Sequence, residues 1–109
     1  MCRKYTSSTS SLNLVVSTPS FKLNSGTLET FSTTHCDEGF ELGYTFCGKC
    51  ATVIYVTAAI APDSFVIQVG SLDDTGPLEA TPAVELNTKH RPVWLKPLDG
   101  VEQRRTYEP

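Results

Sequence analysis

Short runs rich in Val, Ile, Thr, Tyr and Phe recur along the chain, and each is cut off by Gly, Pro, Asn or Asp. The runs are Leu12–Val16, Phe21–Leu23, Leu28–Phe31, Leu42–Phe46, Thr52–Thr57, Phe65–Val69 and Val84–Leu86, with a weaker one around Val93–Leu95. β-branched and aromatic side chains fit a pleated, half-buried surface, so these runs predict strands. The turn signals between them are Thr18-Pro19, Asn24-Ser25-Gly26, Asp37-Glu38-Gly39, Ala61-Pro62-Asp63 and Asp73-Asp74-Thr75-Gly76-Pro77. Each places a residue suited to reversal where the chain must turn. No window of helical length carries a 3.6-residue apolar period. The best helical stretch, Tyr55–Ile60, is β-branched and so disfavoured as helix. The pattern predicts an all-β fold, mostly antiparallel, with tight connections. The Ser/Thr-rich stretch from Thr6 to Ser11 predicts loop.

Composition changes this picture little. The chain has 109 residues, 39% hydrophobic and 19% charged, with formal net charge −3. That length predicts one domain across residues 1–109. Mild acidity argues against a nucleic-acid partner, because phosphate binding needs a basic face. The adjacent Arg104 and Arg105 are expected in a solvated tail. No apolar run approaches the roughly 20 residues of a membrane span. Arg3 and Lys4 near the start are not followed by an apolar run, so no signal peptide is expected. Four cysteines in such a chain predict a reducing, cytoplasmic setting, where metal ligation is commoner than disulfides.

The clearest chemistry is Cys47-Gly48-Lys49-Cys50, between two predicted strands. Two thiolates at this spacing on a tight turn form half of a tetrahedral zinc site. Two other readings stay open: a dithiol redox pair and two ordinary buried thiols. A redox pair of the thioredoxin kind begins a helix, whose N-terminus lowers the thiol pKa, and here strand follows. His35-Cys36 is predicted at a hairpin tip, exposed, and held away from Cys47 by a strand rising about 3.3 Å per residue. His90, between Lys89 and Arg91, is expected at the surface. Asp73-Asp74 is taken as turn chemistry rather than a pair of catalytic carboxylates. Trp94 is expected in the core or on a sheet face. Cys2, beside Arg3 and Lys4, has the cationic neighbours that favour a thiolate.

Several strings occur together in order: Cys2-Arg3-Lys4, Phe21-Lys22-Leu23, Ser25-Gly26-Thr27-Leu28-Glu29, Phe46 through Tyr55, Val69-Gly70-Ser71-Leu72-Asp73-Asp74, and Lys89 through Leu95. In this order they resemble the glutathione-dependent formaldehyde-activating enzyme family, which includes centromere protein V. The resemblance implies antiparallel sheets of the Mss4-like zinc-binding type, with a zinc-knuckle hairpin. It implies carbon–sulfur lyase chemistry on glutathione–aldehyde (S-hydroxymethyl) adducts, so the partner would be a small thiol adduct. It implies zinc as cofactor, at two sites. Cys47 and Cys50 match the second half of a structural site, and Cys2 matches the last cysteine of a catalytic trio. The other ligands of both sites have no counterpart, and Ala51 stands where a glycine is usual. On that basis the chain is expected to be an incomplete, N-terminally truncated copy of the domain. The alternative to an enzyme is a non-catalytic zinc-binding interaction domain, or a degenerate fragment lacking most catalytic ligands. In one form of it, two chains form a homodimer by pooling Cys47 and Cys50 into a four-thiolate site.

Overall fold

The computed structural model describes residues 2–107. A five-stranded antiparallel sheet dominates it, built from β1 (Asn13–Ser17), β2 (Leu28–Thr34), β3 (Glu41–Cys47), β4 (Val53–Ala58) and β5 (Ser64–Gln68). The spatial order is β1-β5-β4-β3-β2. Consecutive strands from β2 to β5 are neighbours, and β1 closes the sheet by pairing with β5. The all-β expectation holds, and so do most of the predicted strands. Two do not. Phe21–Leu23 has no strand partner, and Val93–Leu95 is a turn. Pro92 lacks an N–H for a ladder, and its carbonyl instead takes the Leu95 N–H at 3.0 Å.

Period-2 alternation divides the sheet residues between two faces. On one face Tyr44 lies opposite Val56, and Val56 opposite Val66. Leu42, Tyr44 and Val56 are buried there, with Tyr5, Phe40, Val53, Ala58 and Val66 packed against them. Tyr5 comes from α1 (Cys2–Thr6), a short helix absent from the sequence expectations. Five residues are too few for periodicity to reveal, and the helix is held by ring contact with Tyr44 at 4.6 Å. The other face carries Tyr55 and Phe65, stacked at 4.1 Å, with Phe21 edge-on to both. Phe21, though outside any strand, thus covers this face with its ring. Also on this face, Thr30 and Thr45 share a hydroxyl contact of 3.1 Å, which satisfies buried Thr45.

After β5 come α2 (Gly76–Glu79) and a small parallel pair, β6 (Val84–Glu85) and β7 (Glu102–Gln103). Asp74 Oδ1 accepts the Gly76 N–H at 2.9 Å, the turn chemistry expected of this stretch. Glu85 anchors the terminal segment. Its carboxylate accepts the Leu98 N–H at 3.0 Å and the Gln103 amide at 2.6 Å, and pairs with Arg91 at 3.2 Å. Arg104 is not part of a loose tail: its N–H donates to the Glu85 carbonyl at 2.9 Å. Trp94 is 70% exposed, which corrects its expected place in the core or on a sheet face. It sits on the turn beside Pro92, where no sheet face reaches it.

Candidate functional site

The Cys47–Cys50 turn closes the β3–β4 hairpin. Cys47 N–H donates to the Thr52 carbonyl and Ala51 N–H to the Cys47 carbonyl, both at 2.9 Å. Gly48 N–H reaches across to the Thr27 carbonyl at 2.9 Å, tying the turn to the residue just before β2. Ala51 holds φ at 63°, the left-handed region that favours glycine. Lys49 N–H points at Cys47 Sγ, 3.4 Å away. Cys50 is exposed, and its sulfur lies 3.2 Å from the Thr52 hydroxyl. That hydroxyl, with further help from backbone N–H and Cys47, holds the Cys50 thiol below its usual range. No helix supplies this effect, because β4 follows the turn.

The other end of β3 holds a second cluster. Thr34 pairs with Glu41, and residues 35–40 form the hairpin tip between them. His35 N–H donates to the Phe40 carbonyl at 2.8 Å and Gly39 N–H to the His35 carbonyl at 2.9 Å. The tip was expected, but His35 was expected to be exposed there and is instead buried, only 2% exposed. Its ring stacks on Phe40 and meets Tyr107 edge-on. Burial depresses its pKa. Cys36 and His90 are exposed, as expected. His90 Nε2 lies 2.6 Å from Asp37, and Lys89 pairs with Glu38 at 3.3 Å, so the segment after β6 grips the tip. The His90 contact is also the main reason the Asp37 carboxyl lies below its ordinary range.

Cys2 belongs to this second cluster. Its sulfur is 3.9 Å from the Tyr107 hydroxyl, which lies 3.1 Å from His35 Nε2. The structure therefore does not bring Cys2 to Cys47 and Cys50. The seven residues of β3 separate the two ends, a span of roughly 20 Å. Tyr44 adds a buried hydroxyl without a hydrogen-bond partner among the described residues. Its pKa is pushed up to about 12 by burial, with Tyr5, Cys2 and Cys36 close enough to add to the rise.

Two donor sets bear on metal binding. Among the described residues, Cys47 and Cys50 fall in no group of three or more ligand-type side chains. Two thiolates fit half of a tetrahedral zinc site and leave half its coordination to be supplied. The second set is His35, Cys36 and Asp37, whose ligand atoms lie within 4.8 Å of one another. Here the imidazole does not fit. Nδ1 accepts the N–H groups of Asp37 and Glu38, both at 3.2 Å, and Nε2 faces Tyr107. An ion on either nitrogen would displace an existing partner, and ligation through Nε2 would aim an Nδ1–H at two N–H donors.

Beside α1 and the end of the knuckle lies an open groove of about 470 Å³. Tyr5 and Ser11 line one side, Thr52 and Val53 the floor beyond the knuckle, and Gly70 and Ser71 the other side. Among the described residues, no charged side chain lines it. The groove thus joins three stretches that are remote in sequence: α1 and its following loop, the end of the knuckle, and the Gly-Ser string after β5. Sequence reasoning missed Tyr44 and Tyr107 entirely. Tyr107 stands 72 residues from His35 and 105 from Cys2, and no local pattern links positions so far apart.

A family model described as glutathione-dependent formaldehyde-activating enzyme matches residues 1–90. Searches of curated proteins and of solved structures return no match. No helix among the described residues is long and apolar enough to cross a membrane.

Proposed function

Because the chain belongs to the glutathione-dependent formaldehyde-activating enzyme family, we propose that it handles S-hydroxymethyl thiol adducts in the groove beside α1. Membership points to glutathione-dependent formaldehyde activation, a carbon–sulfur lyase-like activity. The observation that carries the reading is the groove lining: Thr52 and Val53 after the knuckle face Gly70 and Ser71 of the Gly-Ser-Leu-Asp-Asp string. Its volume is within the range of about 300–1,000 Å³ usual for small-molecule sites. The uncharged lining suits the neutral hydroxymethyl end of an adduct and leaves the charged ends of a glutathione-like thiol to solvent.

Cleavage of such an adduct breaks the carbon–sulfur bond. The hydroxyl proton leaves, the oxygen pair forms the carbonyl, and sulfur departs with the bonding electrons. Condensation is the reverse. The Ser71 hydroxyl gives its proton to the Gln68 carbonyl at 2.8 Å, which leaves its oxygen to accept the adduct O–H and orient it. Cys2 does not itself line the groove; it lies on α1, whose Tyr5 and Thr6 do, and by its match to the family's catalytic cysteines it is the thiol of the proposed reacting end. Zinc held at Cys47 and Cys50 would supply fold stability, and at a catalytic site would supply Lewis acidity. Among the described residues, the Cys2 cluster offers no set of ligands that fits such a site.

The test is exchange of ¹³C-formaldehyde with glutathione, followed by NMR, with zinc content measured on the same sample. The expected result is exchange faster than in buffer, lost in Cys2→Ser. Exchange at the buffer rate with zinc-loaded protein would overturn the reading. A second reading draws on the exposed, two-donor knuckle: two chains pooling Cys47 and Cys50 around one zinc as an interaction domain. It requires about half a zinc per chain, and a dimer on sizing chromatography that a chelator dissociates.

A further inference from the structure

We propose that Tyr107 is a positioning residue for the Cys2 thiol: its hydroxyl, oriented by His35, hands a hydrogen bond to Cys2 Sγ. The proposal deepens the reading of Cys2 as the reacting-end thiol and rests on it. Tyr107 lies outside residues 1–90, the part of the chain that the family model matches.

The direction of the relay follows from the donors. Asp37 N–H and Glu38 N–H both point at His35 Nδ1, each at 3.2 Å. Two donors there require the lone pair on Nδ1, which leaves the proton of the neutral ring on Nε2. Nε2–H therefore donates to Tyr107 Oη at 3.1 Å. With its oxygen accepting from the imidazole, the Tyr107 hydroxyl keeps its own proton to give. Cys2 Sγ, 3.9 Å away, is the acceptor it faces.

The backbone delivers each member. The tip turn holds His35 between β2 and β3, where it is buried. β7 pairs with β6, and the Thr106 carbonyl accepts the Asn87 N–H at 3.3 Å, which fixes the chain next to Tyr107. The Tyr107 ring also packs edge-on to Phe40 and His35, so the hydroxyl is held by more than its polar contacts. A second observation marks this corner as built for a polar group. Tyr44, only 7% exposed, keeps an unpartnered hydroxyl there, electrostatically close to Cys2 and Cys36.

Tyr107→Phe removes the hydroxyl and keeps the ring. The experiment follows iodoacetamide alkylation of the full chain by peptide mass spectrometry, resolving each cysteine. Alongside it, ¹⁵N NMR reads the His35 tautomer. The expected result is a bare Nδ1 and a protonated Nε2 in the native chain. In Tyr107→Phe the Cys2 rate falls roughly threefold, as expected when the sulfur loses the one hydrogen bond that positions it. Rates at Cys47 and Cys50 stay unchanged and serve as internal controls for folding. His35→Gln, whose amide N–H can still donate to Tyr107, keeps most of the native Cys2 rate, whereas His35→Leu does not. An unchanged Cys2 rate in Tyr107→Phe would overturn the relay. So would a protonated Nδ1, or a parallel change at every cysteine. These outcomes are separate from failure of the adduct reading, which shows as formaldehyde exchange that Cys2→Ser leaves intact.

Discussion

Ala51 tests whether the knuckle stores backbone strain. Its φ of 63° places a Cβ in the left-handed region, which costs an L-residue roughly 1–2 kcal/mol relative to glycine. Ala51→Gly removes that cost. It also adds freedom to the unfolded chain, which offsets about 0.4–1 kcal/mol. The difference leaves a net gain of about 0.5–1 kcal/mol. Unfolding entropy near 2.1 cal/mol/K per residue, over 109 residues, converts 1 kcal/mol to about 4 °C. Ala51→Gly should therefore raise Tm by about 2–4 °C. The Ala51 N–H bond to the Cys47 carbonyl is unaffected, so the turn keeps its shape. Ala80 is the control: it is exposed, with φ −72° and ψ 139°. There glycine brings only the entropic cost, so Ala80→Gly should lower Tm by about 2–4 °C. The assay is thermal unfolding by circular dichroism with chelator present, so that metal affinity does not enter. A fall in Tm for Ala51→Gly, matching Ala80→Gly, would refute the reasoning.

Three further outcomes follow from the packing and the charges. A Cβ at Gly43 would lie 2.6 Å from Thr57 Oγ1. Gly43→Ala should thus cost about 1–3 kcal/mol in denaturant titration, and adding Thr57→Ala should recover most of it. Tyr44→Phe deletes the buried, unpartnered hydroxyl and should stabilise the fold by about 1 kcal/mol, with a lower Tm counting against its lack of a partner. Both His35 and Asp37 have pKa values lowered in the folded state, the first by burial and the second by its hydrogen bond with His90. A lowered folded pKa means stability that is full above the unfolded pKa and lost as pH falls through the folded one. Stability should therefore decline below about pH 6.5, where the unfolded histidine begins to take up a proton, and again as Asp37 protonates. His35→Gln should flatten only the first decline, read from Tm between pH 8 and 5.

The strand pattern was open to reading because it is local. A β-branched or aromatic run between Gly, Pro, Asn or Asp specifies extended chain and reversal within a few residues. The β3–β4 hairpin and its Cys47–Cys50 turn were legible for that reason, and so was the 35–40 tip. The shared order of short motifs also made the family legible, now matched over residues 1–90. Phe21–Leu23 misled because an aromatic run marks a buried surface without saying whether a neighbouring strand is available to pair. Val93–Leu95 misled through the same composition, with Pro92 unable to join a ladder. α1 was hidden because five residues carry no period, and its helix depends on Tyr5 reaching Tyr44.

The sequence by itself determined most of the strands, their turns, the thiol pair and the family, since each rests on neighbouring residues or on motif order. Only the tertiary structure decided that His35 is buried rather than exposed, and that both of its nitrogens are already engaged. It also decided that Cys2 meets Tyr107 rather than the Cys47–Cys50 turn. Those placements depend on which strand lies beside which and on where the chain after β6 returns. Contacts between residues 72 and 105 positions apart are made by packing and register, which no local window of sequence contains.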